Sequence, residues 1–184
     1  MIAAVRTIVL TLCLLTLAGR ADGAAAAPDT STLQFYGFRA GARIEEMNAV
    51  LHRLDGGRLT CELARADRRV SECRGVLRAP ELGGKVRLWV SAVDSVASII
   101  TLSAKVETAQ LDHWRRDIER RYGRVGAHAQ GSQWMMQWVR RRRMLRLTWR
   151  IEQGQKIASV SLVDGRVLDD WGRSRTRSAG ARPS

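Results

Sequence analysis

Two cysteines and a cluster of arginines are the residues in this chain whose types and spacing could do chemistry. Cys61 and Cys73 stand equally far from position 67, where Ala66-Asp67-Arg68 forms a plausible turn. Leu59, Cys61 and Leu63 alternate with Thr60 and Glu62, and Val70 to Leu77 reads as a second strand. A hairpin turning at Asp67 sets the two thiols opposite each other, at a separation that a disulfide can bridge. The third cysteine, Cys13, lies in an apolar N-terminal run, so an exported chain that loses this run keeps an even count and is expected to be oxidised. Closing so short a loop contributes on the order of 3 kcal/mol. There is no C-x-x-C spacing and no neighbouring histidine cluster, which argues against a reactive thiol or metal pair.

The arginines are Arg140, Arg141, Arg142, Arg143, Arg146 and Arg150. The first four join two predicted strands, and the last two fall on their wet faces beside Gln133, Gln137 and Thr148. Guanidinium groups beside amides bind phosphates, sulfates or carboxylates in bidentate fashion, so these six are the candidate anion-binding residues. The same run can instead serve only to keep an edge hairpin soluble and to block edge-to-edge pairing.

Catalytic patterns are missing from the sequence. The three histidines, His52, His113 and His128, include no pair spaced as zinc ligands on one helix face. No nucleophile elbow, phosphate loop or dinucleotide-binding glycine pattern occurs. Glu45-Glu46 and Asp169-Asp170 are adjacent acids facing different ways, not an acid and base poised across a cleft. The expectation is a non-enzyme with no cofactor and no metal.

The elements that position these residues follow from periodicity. From Ala42 to Asp55, Ile44, Met47, Leu51 and Leu54 share one face of a helix stopped by Gly56-Gly57. The cysteine hairpin follows, then strands over Lys85 to Val93 and Val96 to Ala104. A second helix over Thr108 to Tyr122 buries Leu111, Trp114, Ile118 and Tyr122, with Thr108 as its expected N-cap and Gly123 as its stop. Alternation then predicts strands around Trp134 to Trp138, Leu145 to Ile151 and Ala158 to Leu162. Most of the six tryptophans fall on the apolar side of these patterns. Trp89 is out of phase with Val86, Leu88 and Val90 and is the one expected to be exposed.

The expected fold is α+β: two helices on one face of an antiparallel sheet of six or seven strands, in one domain over residues 33–171, ahead of an unstructured basic tail from Gly172 to Ser184. The helices align 67 residues apart, with Ile44, Met47, Leu51, Arg53 and Gly56 falling on Leu111, Trp114, Ile118, Arg120 and Gly123. Half-units of about 35–104 and 105–171 fit a duplicated helix-then-strands unit. They fit equally the coincidence of two amphipathic helices that end in glycine.

Phe35-Tyr36-Gly37, then Gly41 ahead of a short helix, then Cys61 and Cys73-Arg74-Gly75 on paired strands, resembles small exported modules typified by the β-lactamase inhibitor protein and the outer-membrane assembly lipoprotein of the β-barrel machinery. The likeness covers mainly residues 35–104. In that group helices pack on one face of an antiparallel sheet, and in the inhibitor the unit is duplicated with a disulfide in each half. This chain departs in having no cysteine in its second half and no lipobox. The resemblance implies a binding or assembly role over catalysis, and it transfers neither a partner nor a site.

The compartment is read from the first residues. Arg6 precedes an apolar run from Ile8 to Ala18, too short to span a bilayer, and Ala21 to Ala27 offers small residues for signal peptidase. A signal peptide over residues 1–26 therefore predicts a periplasmic or secreted protein of about 158 residues, the size of one domain. The chain carries a net charge of +13, and cleavage removes Arg6, Arg20 and Asp22 for a net loss of only one positive charge. So large a surplus favours anionic surfaces such as phosphate-rich lipid, polysaccharide or nucleic acid. Together these readings predict a non-catalytic binding protein that docks an anionic envelope component. The alternative is an inhibitor or assembly factor that grips another exported protein through the concave sheet.

Overall fold

The computed structural model describes residues 32–180, with side chains as far as Thr176. The expected signal peptide and the last four residues lie outside the described residues. The fold is α+β, with three helices, an eight-stranded antiparallel sheet and a separate two-stranded ribbon.

The ribbon pairs β1 (Gln34–Phe35) with β2 (Phe38–Arg39) around Tyr36 and Gly37, both with positive φ as a tight hairpin turn requires. It buries Phe35 and Phe38, and Phe35 meets the Trp114 ring edge-on at 5.3 Å. Helix α1 (Ile44–Arg53) follows and buries Met47, Val50 and Leu51, while the Glu46 carboxylate accepts from the Arg43 N–H at 3.2 Å and closes its first turn.

Four strands then run as a meander: β3 (Thr60–Leu63), β4 (Val70–Ala79), β5 (Gly84–Val93) and β6 (Val96–Lys105). Helix α2 (Thr108–Tyr122) crosses to the second half, where β7 (His128–Gln130), β8 (Gln133–Arg140), β9 (Arg143–Glu152) and β10 (Gln155–Asp164) form another meander. The strand order is β3-β4-β5-β6-β10-β9-β8-β7. Each half is thus a helix followed by four strands, and within the sheet the halves are joined where β6 pairs antiparallel with β10.

One sheet face is dry. Leu77, Val86, Leu88, Val90, Ile100, Leu102, Leu145, Leu147, Val160 and Leu162 are all buried there, against Met47 and Leu51 of α1 and Trp114 and Ile118 of α2. This is the alternation expected of strands with one covered face. Helix α1 packs down onto Gly75, where a Cβ would touch Leu51 at 3.5 Å and crowd Leu59 at 3.1 Å.

Four expectations are corrected. The large sheet has eight strands, not six or seven, because the short edge strand β7 is too polar to show a hydrophobic period. Thr108 is not the N-cap of α2 but its first residue, and its hydroxyl accepts from Lys156 Nζ at 2.6 Å. Trp134 is not core: it is 49% exposed. Among the described residues there are three helices, not two, since α3 (Gly165–Gly180) takes in much of the stretch read as an unstructured tail from Gly172.

Helix α3 runs past the ends of β5, β6 and β9. It is held by Trp171, whose indole N–H donates to Asp67 Oδ2 at 2.8 Å, and by an ion pair of Arg142 with Asp169. No helix among the described residues is long and apolar enough to cross a membrane.

Candidate functional site

The disulfide is present between Cys61 and Cys73, which are directly opposite in the β3–β4 register. Cys73 is fully buried on the dry face, so the bond ties the exposed edge strand β3 to the core.

The six arginines do not form one surface. Arg140 and Arg143 lie on the helix-bearing side. Arg140 donates to the Tyr122 carbonyl at 2.8 Å and sits over the Tyr122 ring, 5.5 Å from its centroid. Arg143 donates through Nε to Asp164 Oδ2 at 2.8 Å, and the Asp164 side chain is only 1% exposed. Burial pulls the Asp164 carboxyl upward, but hydrogen bonds from Arg166 and Arg143 prevail and hold it down to about 2. Arg141 and Arg142 form the β8–β9 turn itself, both with positive φ, and Arg142 is paired with Asp169. Only Arg146 and Arg150 reach the wet face. Arg146 donates to Gln137 Oε1 through Nε at 3.1 Å and through a terminal nitrogen at 2.9 Å, and Arg150 Nε donates to Glu152 at 2.7 Å.

What those two arginines join is an open face built by both halves. The register of β4, β5, β6, β10, β9 and β8 aligns residues of that face in continuous rows. One row runs Val76, Arg87, Ser103, Ser159, Thr148 and Met135. The next runs Arg74, Trp89, Thr101, Ser161, Arg146 and Gln137. At the centre the hydroxyls of Ser103 and Ser159 are 2.6 Å apart, and those of Thr101 and Ser161 are 3.1 Å apart. Arginines flank this hydroxyl ladder from both halves: Arg146 and Arg150 on one side, Arg74 and Arg87 on the other.

Arg87 is exposed and has no hydrogen-bond or ion-pair partner among the described residues, and Arg74 has only a long contact of 3.7 Å with Glu72. Trp89, expected to be exposed, is only half-buried, although it lies on this face, out of phase with the core. Between β4, β5 and β6 the face dips into a cavity of about 360 Å³ lined in part by Arg74, Arg87, Trp89, Thr101 and Ser103. A larger cleft of about 780 Å³ opens beside the start of α2, among Lys105, Thr108, Ile151 and Lys156, where Lys156 is already engaged by Thr108.

Arg74, Arg87 and the hydroxyl ladder escaped the sequence reading. Arg87 and Trp89 share a parity that was legible, but nothing in the chain announces that β6 lies beside β10, which is what assembles the ladder. No group of three or more potential metal ligands occurs among the described residues. No family model, curated protein or solved structure matches the chain.

Proposed function

We propose that this chain is an exported, non-catalytic binding protein that docks an anionic envelope partner on the open face of its sheet. The observation that carries the reading is the convergence of Arg74 and Arg87 from one half with Arg146 and Arg150 from the other around a hydrogen-bonding floor. Guanidinium groups grip a carboxylate, sulfate or phosphate in bidentate fashion, and the sheet register fixes where these four side chains start. The disulfide and the N-terminal leader sequence support an oxidising, extracytoplasmic setting.

The test compares two variants of equal charge. Arg87→Gln with Arg146→Gln removes two cations from the open face, and Arg124→Gln with Arg141→Gln removes two exposed cations elsewhere. Each mature, disulfide-intact protein is measured for retention on immobilised lipopolysaccharide and polygalacturonate at low and moderate salt. The open-face variant loses retention and part of the salt dependence, while the control keeps both. Equal losses in the two variants would reduce the arginines to bulk charge and sink the reading.

A second reading, grip on another exported protein, has one observation in its favour. On the helix-bearing side, Trp134 stacks on Trp149 at 6.4 Å and is 49% exposed, and Ile151 is 72% exposed. Such a strip suits a salt-insensitive protein contact, on a different surface from the arginines.

A further inference from the structure

The cavity on the first half has a composition that bulk charge does not explain. Trp89 is the one tryptophan, tyrosine or phenylalanine that the paired strands β4, β5, β6, β10, β9 and β8 carry on the open face. Arg74 lies directly opposite it on β4, and Thr101 directly opposite it on β6. Arg87, two residues away on the same face of β5, is in turn opposite Ser103. Two adjacent rows thus each present a cation at one side and a hydroxyl at the other, with one indole between them.

The hydroxyls of Thr101 and Ser103 each share one hydrogen bond with Ser161 and Ser159 and retain further donor or acceptor capacity for a ligand. A lone aromatic plane offers its electron-rich face to one flat, C–H-lined surface. The guanidinium groups call for an oxyanion within a few ångströms of that surface. A polyphosphate would use only the arginines, and a glycerol headgroup has no flat ring to lay on the indole. A nucleic-acid strand stacks successive bases on successive aromatics, and this face has one.

We propose that the cavity is a subsite for a single sugar ring bearing an acidic substituent. The ring lies on Trp89, its hydroxyls meet Thr101 and Ser103, and its carboxylate, sulfate or phosphate is held by Arg74 and Arg87. This rests on the open face being the docking surface and specifies what that surface reads. The acidic sugar has two sources, a free polysaccharide or a glycan carried on lipid, and the recognising chemistry is the same.

The experiment titrates the mature, disulfide-intact protein by calorimetry with polygalacturonate, dextran, polyphosphate, and phosphatidylglycerol vesicles with and without lipopolysaccharide. Trp89→Leu is expected to weaken binding of the acidic sugar at least tenfold while changing polyphosphate affinity less than twofold. Trp89→Tyr, which keeps a ring, is expected to retain most of the affinity, and melting curves confirm that both variants fold. Binding of polygalacturonate sensitive to Trp89→Leu supports the subsite with a free ligand. Binding confined to lipopolysaccharide vesicles with the same sensitivity supports it with a lipid-borne one.

If Trp89→Leu leaves every affinity unchanged while Arg87→Gln with Arg146→Gln lowers them, the subsite is overturned and the basic docking face survives. If the wild-type protein binds no polyanion at all, both fall. Dextran bound as tightly as polygalacturonate would also overturn the acidic specificity.

Discussion

Gly41 and Asp164 are in van der Waals conflict with any residue larger than glycine: a Cβ on Gly41 would lie 2.6 Å from Asp164 Oδ2. The two belong to opposite halves, Gly41 in the loop ahead of α1 and Asp164 at the last position of β10. Gly41 also has φ +86 and donates its N–H to the Ala97 carbonyl at 2.7 Å. The loop is thereby fastened to the sheet against the buried carboxylate.

Gly41→Ala should therefore cost about 2 kcal/mol or more, from backbone strain at positive φ together with the displaced carboxylate. Gly57→Ala, where the new methyl meets nothing within 4 Å, serves as the control and should change stability by no more than about 0.5 kcal/mol. Urea unfolding of both variants measures the difference.

Acid should loosen the fold through Asp164. Its folded pKa, about 2, lies below its ordinary value of 3.8, so its contribution is complete above the ordinary value and disappears as pH falls from about 4 towards 2. The shift corresponds to about 2 kcal/mol. Asp164→Asn should flatten that part of the stability profile and cost about 3 kcal/mol at neutral pH, because it leaves Arg143 and Arg166 without their shared counter-charge. An unchanged acid limb in the variant would contradict the assignment.

Reducing the disulfide, or replacing Cys61 and Cys73 together with serine, should lower stability by about 2–4 kcal/mol. The loss should begin at the edge. Amide exchange is expected to speed up first in β3, which pairs only with β4, while β5 and β6 keep their protection. Uniform loss across all strands would show that the bond braces the whole domain.

The hydroxyl ladder should be a modest coupling rather than a pillar. Ser103→Ala and Ser159→Ala, singly and together, should give an interaction energy of about 0.5–1 kcal/mol in a double-mutant cycle, as for a partly solvated cross-strand pair. Strict additivity would mean that the two hydroxyls do not bond.

Trp171 should control the acidity of Asp67. The indole hydrogen bond first, and the Arg69 backbone N–H next, hold that carboxyl below its usual value. Trp171→Phe should raise it, which carbon-detected NMR titration reads directly. No change would place the end of α3 elsewhere in solution.

The strands and the first two helices were legible because their apolar residues recur at clean periods. Leu145, Leu147 and Trp149 could only alternate, and Leu111, Trp114 and Ile118 could only form a stripe. The cysteine hairpin was legible from symmetry about Asp67. Helix α3 was not, since Gly165 and Gly172 and its many arginines look like tail, and its anchor, Asp67, stands 104 residues before Trp171. The arginine cluster is dispersed for a related reason: adjacency in sequence around a two-residue turn scatters side chains to both faces and to the tip. The residues that do share the open face come from six strands, and their company depends on the β6–β10 pairing, which no local pattern encodes.

That pairing also orders assembly. On either side of it every ladder is a hairpin closing a short loop, cheap in chain entropy and fast to form. Joining Leu102 to Val160 is the long-range step, and it brings together two meanders already largely shaped by their own turns. The open-face rows that hold Arg87, Trp89 and Arg146 cross this join, so they exist as continuous rows only once β6 and β10 are paired.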